Sequence, residues 1–176
     1  MRRSAARRVA WASLLAAQVC WAEVTAPFTY SAPEFFREPL ISRARMSTTY
    51  SYLAEDGKSP LRLTITAMPT REVRDGFGAL TPDQCTGLFV DALRATHARF
   101  FVAAQTRQLT LGTSSITQRR WTGEKAGTPL TGIVACAEID GHYYAIDFVD
   151  ELRAATRSFP SIRESLRGFS SVRNRR

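Results

Sequence analysis

The sequence is poor in the residues most enzyme chemistry needs. Only two histidines, His97 and His142, and three cysteines, Cys20, Cys85 and Cys136, are spread over 176 residues. No G-x-S-x-G, H-E-x-x-H, phosphate-binding glycine loop or CxxC pair is present, so the motif-bearing routes to acyl transfer, zinc hydrolysis, nucleotide binding and dithiol exchange are closed. No stretch reaches the roughly 20 consecutive apolar residues that crossing a bilayer takes. Repeats and low-complexity segments are absent as well. These absences make catalysis the minority reading, and no catalytic residue, cofactor or metal is assigned.

What is present begins at the N-terminus. MRRSAARRVAWASLLAAQVCWAEV places Arg2, Arg3, Arg7 and Arg8 before a short apolar run from Val9 to Trp21. Ala22 ends a small-residue site, with Cys20 three positions before the expected cut. That order is the order of a secretory signal peptide over residues 1–22. The expectation is a protein exported to a bacterial periplasm or secreted after cleavage near Ala22.

Cleavage changes the charge balance. The whole chain has a net charge of +8, but the segment removed contains four of the arginines and no acid. Residues 23–150 hold 13 bases against 14 acids. Residues 151–176 hold seven arginines against Glu151 and Glu164. The body is therefore nearly neutral, and the excess sits in a C-terminal tail, residues 170–176, expected to be disordered. Arg173, Arg175 and Arg176 are candidates for contact with an anionic surface. Nucleic-acid binding is not expected, because the basic balance belongs to the two ends.

Residues 23–169 are long enough for one domain with a sizeable core. In an exported protein the two remaining cysteines, Cys85 and Cys136, read as one disulfide.

The period of the apolar residues places the elements. EVTAPFTYSAPEFFREP is expected to be an extended lead-in that packs through its aromatics. LISRARMSTTYSYLA leans towards β structure. After the turn EDGKSP, LRLTITAMP alternates apolar and polar residues as a half-buried strand does. TREVRDGFGALTP reads as a loop. Thr81 is a good N-cap with Pro82 at the first helical position, and the spacing of Cys85, Phe89, Ala92, Thr96 and Phe100 predicts a helix over 82–101. Strands are expected at 114–122, 130–139 and 142–150, and a last helix from Ser158 or Pro160.

One stretch, EIDGHYYAIDFVDE over residues 138–151, crowds five carboxylates, a histidine and two tyrosines into fourteen positions. Asp140-Gly141 is a strong signal for a two-residue type I′ turn. Such a turn fixes the register, with Ile139 opposite His142, Cys136 opposite Ala145 and Val134 opposite Asp147. Glu138 and His142 then fall on opposite faces. Asp150 and Glu151 lie about 25 Å from the tip, at roughly 3.3 Å per residue. The crowd disperses, and no set of ligands converges on a metal. Asp147 is left in mid-strand on a face that the helix from Pro82 would cover. It needs a cation or a proton there, and Arg119 or Arg120 on the preceding strand is the expected partner. Asp147 is also the one candidate for a ligand-binding or catalytic carboxylate in a cleft.

The element order, carried by SYLAEDGKSPLRLTITAMP, by the helix from Pro82, and by LTGIVACAEIDGHYYAIDFVDE followed by SFPSIRESLRGF, resembles the PsbP-like α/β/α sandwich over residues 27–169. The resemblance implies an α+β fold with an antiparallel sheet between helices. It also implies an accessory role through binding other proteins without catalysis, here an envelope protein. A small exported enzyme using Asp147, and an envelope-surface protein using the arginine tail, are the alternatives.

Overall fold

A computed structural model describes residues 26–172. The signal segment proposed for residues 1–22 and the arginines at 173, 175 and 176 lie outside the described residues. The chain runs β1 (Phe28–Thr29), β2 (Leu40–Ala44), β3 (Ser47–Leu53), β4 (Arg62–Pro69), α1 (Thr70–Phe77), α2 (Pro82–Thr96), β5 (Ala98–Val102), β6 (Arg107–Leu111), β7 (Ser114–Lys125), β8 (Thr128–Ile139), β9 (His142–Glu151), α3 (Ala155–Arg167) and β10 (Ser170–Ser171).

An eight-stranded antiparallel sheet has the order β2-β3-β4-β9-β8-β7-β5, with β6 also on β7. Strands β6 and β5 share the outer edge of β7, pairing with its first and second halves. Helix α3 and the lead-in cover one face, where Leu63, Ile65, Ile133, Ile146, Phe148, Ile162 and Leu166 are fully buried. Helices α1 and α2 cover the other, over Cys136, Ala145, Val134, Val149 and Trp121. The expected α+β sandwich, with an antiparallel sheet between helices, is the observed architecture.

The turn at Asp140-Gly141 takes φ of 48° and 80°, and the β8–β9 register is the one the turn dictates. Ile139 faces His142, Cys136 faces Ala145 and Val134 faces Asp147. The lead-in packs through its aromatics. Phe28 lies edge-on to Tyr50 and Tyr144 and stacks on Phe169, and Tyr30 lies edge-on to Tyr52. Beyond area burial, each such pair contributes about 1 kcal/mol.

Four expectations are corrected. Residues 70–77 form a helix rather than a loop. Thr70, Val73 and Phe77 fall at helical spacing with Val73 deeply buried, a signal that the glycines at 76 and 78, read as loop punctuation, mask. The run at 40–53 is β as expected, divided into two strands, β2 and β3, joined at Arg45-Met46. Helix α2 ends at Thr96, not Phe101. There the Thr96 hydroxyl bonds back to the carbonyls of Ala92 and Leu93, and His97 Nδ1 bonds the Leu93 carbonyl. Phe100 instead stacks on Trp121, 5.6 Å away, in a strand. Its inner stripe runs through Cys85, Thr86, Phe89, Val90 and Leu93, leaving Ala92 and Thr96 exposed.

The C-terminus supplies the other two corrections. Helix α3 starts at Ala155 and carries Pro160 inside it. Residues 170–171 are not part of a disordered tail. They pair with β1, Phe28 opposite Ser171 and Thr29 opposite Ser170. The Val172 N–H donates to the Pro27 carbonyl at 2.8 Å, so the two ends of the described chain meet.

Gly132 shows how tightly the sheet and its aromatic cover fit. A β-carbon added there would lie 2.1 Å from the Phe148 carbonyl oxygen and 2.8 Å from the Trp121 ring. Gly132→Ala is expected to destabilise by about 3 kcal/mol, at the upper end for overpacking. Chemical denaturation measures it. A loss below about 1 kcal/mol would mean that the indole does not lie on the backbone at Gly132.

Candidate functional site

The face of the sheet covered by α1 and α2 carries Cys136, Glu138, Asp147 and Arg119, with Cys85 on α2 above it, while His142, Asp150 and Arg120 lie on the face covered by α3. Cys136 lies in mid-strand on β8, opposite the small Ala145, and Cys85 lies in the first turn of α2. The two are joined by a disulfide with α-carbons 6.0 Å apart, closing a sequence separation of 51 residues. Both cysteines are buried. Beside them Thr86, also buried, accepts the Cys136 N–H at 3.0 Å and donates to the Pro82 carbonyl at 2.9 Å. The start of α2 is itself fixed by a reciprocal capping box. Gln84 N–H donates to the Thr81 hydroxyl, and Thr81 N–H donates to the Gln84 side chain. This end of the helix is thus tied to the sheet by a covalent bond and a buried hydrogen bond.

Asp147 lies further along the same face. Its partner is Arg62 of β4, at 3.3 Å, not Arg119 or Arg120. The sheet order explains this. Strand β4, distant in sequence, lies beside β9 and sets Arg62 diagonally across from Asp147, through the pairs Arg62–Val149 and Thr64–Asp147. On its other side Asp147 is separated from Arg119 by Val134. Arg119 turns to Asp83 of α2 at 2.7 Å. Arg120 points to the opposite face, where its guanidinium lies over the Phe159 ring at 6.0 Å. Sequence reasoning missed Arg62 because its place in LRLTITAMP marks only a polar-face position. Nothing local says which strand will lie next to it.

Burial raises the Asp147 pKa above the ordinary carboxylate value, opposed by the charge and hydrogen bond of Arg62 and by the nearby His97. Among the described residues, Oδ1 of Asp147 and Nε of Arg62 have no hydrogen-bond partner. Five of the surface depressions among the described residues hold about 270 to 510 Å³, and Asp147 lines none of them.

The other carboxylates of residues 138–151 are accounted for one by one. Glu138 pairs with Arg74 of α1 at 3.5 Å. Asp140 forms the turn and accepts from Ser171 Oγ. Asp150, buried, accepts from the Glu151 N–H and from Ser158 Oγ at 2.6 Å, which anchors α3 to the end of β9. Glu151 is exposed. His142 lies against Tyr144 on the face opposite Glu138. Among the described residues no cluster of three or more histidine, cysteine or carboxylate side chains is placed to hold a metal. The arginines at 173, 175 and 176 lie outside the described residues.

A cleft of about 510 Å³ was not foreseen. It opens where β7 and β8 part, bounded by the start of α2 and lined by Pro82, Asp83, Ile116, Thr117, Glu138 and Ile139 among others. A second depression, of about 480 Å³, shares Ser114 and Ile139 with it and runs on to Asp140 and Ser171.

The disulfide and the Asp147 ion pair can each be tested. The chain from residue 23 onwards is expected to show no free thiol without reductant, and Cys136→Ser to lose about 4 kcal/mol on the chain-entropy model. Two alkylatable thiols in the unfolded, unreduced protein would refute the bond. For Asp147 the raised folded-state pKa means that the native state holds the proton more tightly than the unfolded chain. Stability from this group is therefore greatest at low pH and falls as pH rises from about 4, the ordinary carboxylate pKa, towards the folded value. Asp147→Asn is expected to remove that slope in urea denaturation between pH 3 and 7. Arg62→Met is expected to cost about 1–3 kcal/mol at pH 7 and less near pH 4, where the carboxyl it leaves behind is neutral. An equal loss at both pH values would show that Arg62 acts by packing alone.

No family model matches this sequence, and no curated protein matches it. Among solved structures the fold is similar to the crystal structure of LpqN, a protein involved in cell envelope biogenesis of Mycobacterium tuberculosis. The TM-score is 0.53 at 13% identity, covering 82% of this chain and 83% of that one. At this identity the likeness is one of fold, and it extends over nearly the whole sandwich.

Proposed function

We propose that this chain is an exported accessory protein of the cell envelope, without catalytic activity, which acts by binding another protein. The observation that carries the reading is the buried Cys85–Cys136 disulfide, whose bond ties a helix to the central strands. Such structural bonds persist in oxidising compartments, in line with the signal-peptide pattern of residues 1–22. The fold likeness to LpqN, a protein of envelope biogenesis, supports the same setting, as does the resemblance to PsbP-like sandwiches, whose shared trait is binding without chemistry. The candidate catalytic carboxylate, Asp147, lies on the helix-covered face, ion-paired to Arg62 and away from the clefts. That arrangement suits a structural ion pair better than a reacting group.

Export is tested by expressing the full chain in a Gram-negative host and fractionating the cells. The expected product is periplasmic, with an intact mass that begins at Glu23. Full-length protein confined to the cytoplasm would overturn the reading. Cross-linking in intact cells followed by identification of the joined proteins tests the binding role, with one reproducible envelope partner as the expected result.

A further inference from the structure

Arg120, expected to meet Asp147, turns instead to the α3 face, and two more arginines gather there. Its guanidinium lies over the Phe159 ring at 6.0 Å, and that of Arg163, one turn on from Phe159 along α3, lies over the same ring at 5.9 Å. The Arg163 guanidinium also reaches the Gln108 carbonyl of β6 at 3.5 Å. Next to Gln108, Arg107 pairs with Gln118 of β7. That puts Arg107 on the face of Arg120 and diagonally across from it, a spacing of roughly 7–8 Å. All three arginines are exposed. Seven other arginines pair with carboxylates, but these three have no carboxylate partner among the described residues. The acids of the adjoining positions are engaged elsewhere. Glu164, next to Arg163 in sequence, pairs with Arg167, Glu124 pairs with Arg99, and Asp150 accepts from Ser158. A carboxylate would neutralise a guanidinium and occupy its N–H donors. A ring face holds the cation and leaves the charge and the donor fork for another acceptor. Between Arg107 and Arg120 lies Gln118, buried, whose Oε1 has no hydrogen-bond partner among the described residues. A buried amide so placed needs a polar partner.

We infer that Arg107, Arg120 and Arg163 form an anion site whose ligand is a phosphate monoester, carried by a soluble molecule or by a lipid headgroup. Cations gathered without a counter-ion repel one another, and an anion that bridges them removes the repulsion. A phosphate monoester brings about −1.5 to −2 charges at pH 7 and three acceptor oxygens, one for each guanidinium. A lone carboxylate brings a single charge and two oxygens. Phe159 sets the direction of two of the forks, and Gln118 supplies a polar floor. The site goes beyond the accessory role proposed above and does not depend on it.

The probe is glycerol 3-phosphate, titrated into the purified chain from residue 23 at fixed ionic strength, with acetate as the single-charge control. Saturable binding is expected, with shifts of the Nε–Hε signals of Arg107, Arg120 and Arg163. The melting temperature should rise above its value in chloride at equal ionic strength, because the ligand binds the folded state. Arg120→Gln and Arg163→Gln should each weaken binding about ten-fold, the loss of a charge-assisted hydrogen bond. Arg120→Lys keeps the charge without the fork and should recover only part of the loss. Arg153→Gln, at an exposed arginine ahead of α3, should change nothing. Vesicles of phosphatidylcholine doped with phosphatidic acid separate the two sources. Vesicle binding that is lost in Arg120→Gln assigns a lipid headgroup, and binding of glycerol 3-phosphate without vesicle binding assigns a soluble ester. Acetate bound as tightly as glycerol 3-phosphate, Nε–Hε signals that do not move, or an equal loss in Arg153→Gln would overturn the proposal. So would vesicle binding that survives Arg120→Gln and vanishes when residues 173–176 are deleted, which would assign it to the arginine-rich end. Each of these failures leaves the accessory role, tested by cross-linking, standing.

Discussion

The sandwich depends on two residues in the left-handed region, Asp140 and Gly141. A two-residue turn permits one register, and a shift of one residue would send each side chain of the hairpin to the other face. With the register fixed, Ile133, Ala135, Ala137, Ile146 and Phe148 face α3 and the lead-in, and Val134, Cys136, Ala145 and Asp147 face α2. Cys136 is thereby aimed at the helix that carries Cys85. Gly132 is set under Trp121, and Asp147 is set where Arg62 reaches it. The disulfide, the aromatic cover and the ion pair all follow from the hand and length of one turn.

What could be read from the sequence follows the range of the forces involved. Local signals were legible: Asp140-Gly141 for the turn, Thr81-Pro82 for the start of α2, and the alternation in LRLTITAMP for β4. Composition made the Cys85–Cys136 pairing legible too, because only two cysteines remain beyond Ala22. Relations between strands distant in sequence were not. Arg62 meets Asp147 because β4 inserts beside β9, and no period in either segment encodes that neighbour. The end of α2 was misread because Phe100 continues the helical spacing by coincidence, while its stacking on Trp121 is a tertiary preference. Helix α1 was missed because Gly76 and Gly78 read as loop punctuation and outweighed the helical spacing of Thr70, Val73 and Phe77. The parting of β7 from β8 has no sequence signal at all. It arises where a threonine of a covering helix takes the N–H that a strand would otherwise use.

The two faces of the sheet are held differently. Under α3 and the lead-in, the core is a continuous aliphatic and aromatic cluster. On the α2 side the apolar contacts fall into two smaller clusters, around Cys136 and around Trp121. Polar groups are buried on both faces, and some lack a partner among the described residues: Arg62 Nε, Asp147 Oδ1, Arg119 Nε and Trp121 Nε1 on the α2 side, and Gln118 Oε1 on the other. Buried polar groups without partners are destabilising. The covalent bond at one end of α2 counterbalances that, because it restrains the unfolded chain as well as the folded one.

The pairing of β1 with β10 has a mechanical meaning. The chain enters at Pro27 and leaves at Val172 on the same side of a two-residue ribbon. Tension applied between the two ends would open that ribbon one rung at a time, as a zipper, rather than shearing its bonds together. The lead-in would peel next. Extension would then stop short of the chain's full contour, because the Cys85–Cys136 bond removes some 50 residues, about 170 Å at 3.4 Å each, from the length that can be paid out. If the domain is tethered between two bodies, its ends yield early at low force while the helix and the central strands stay stitched together.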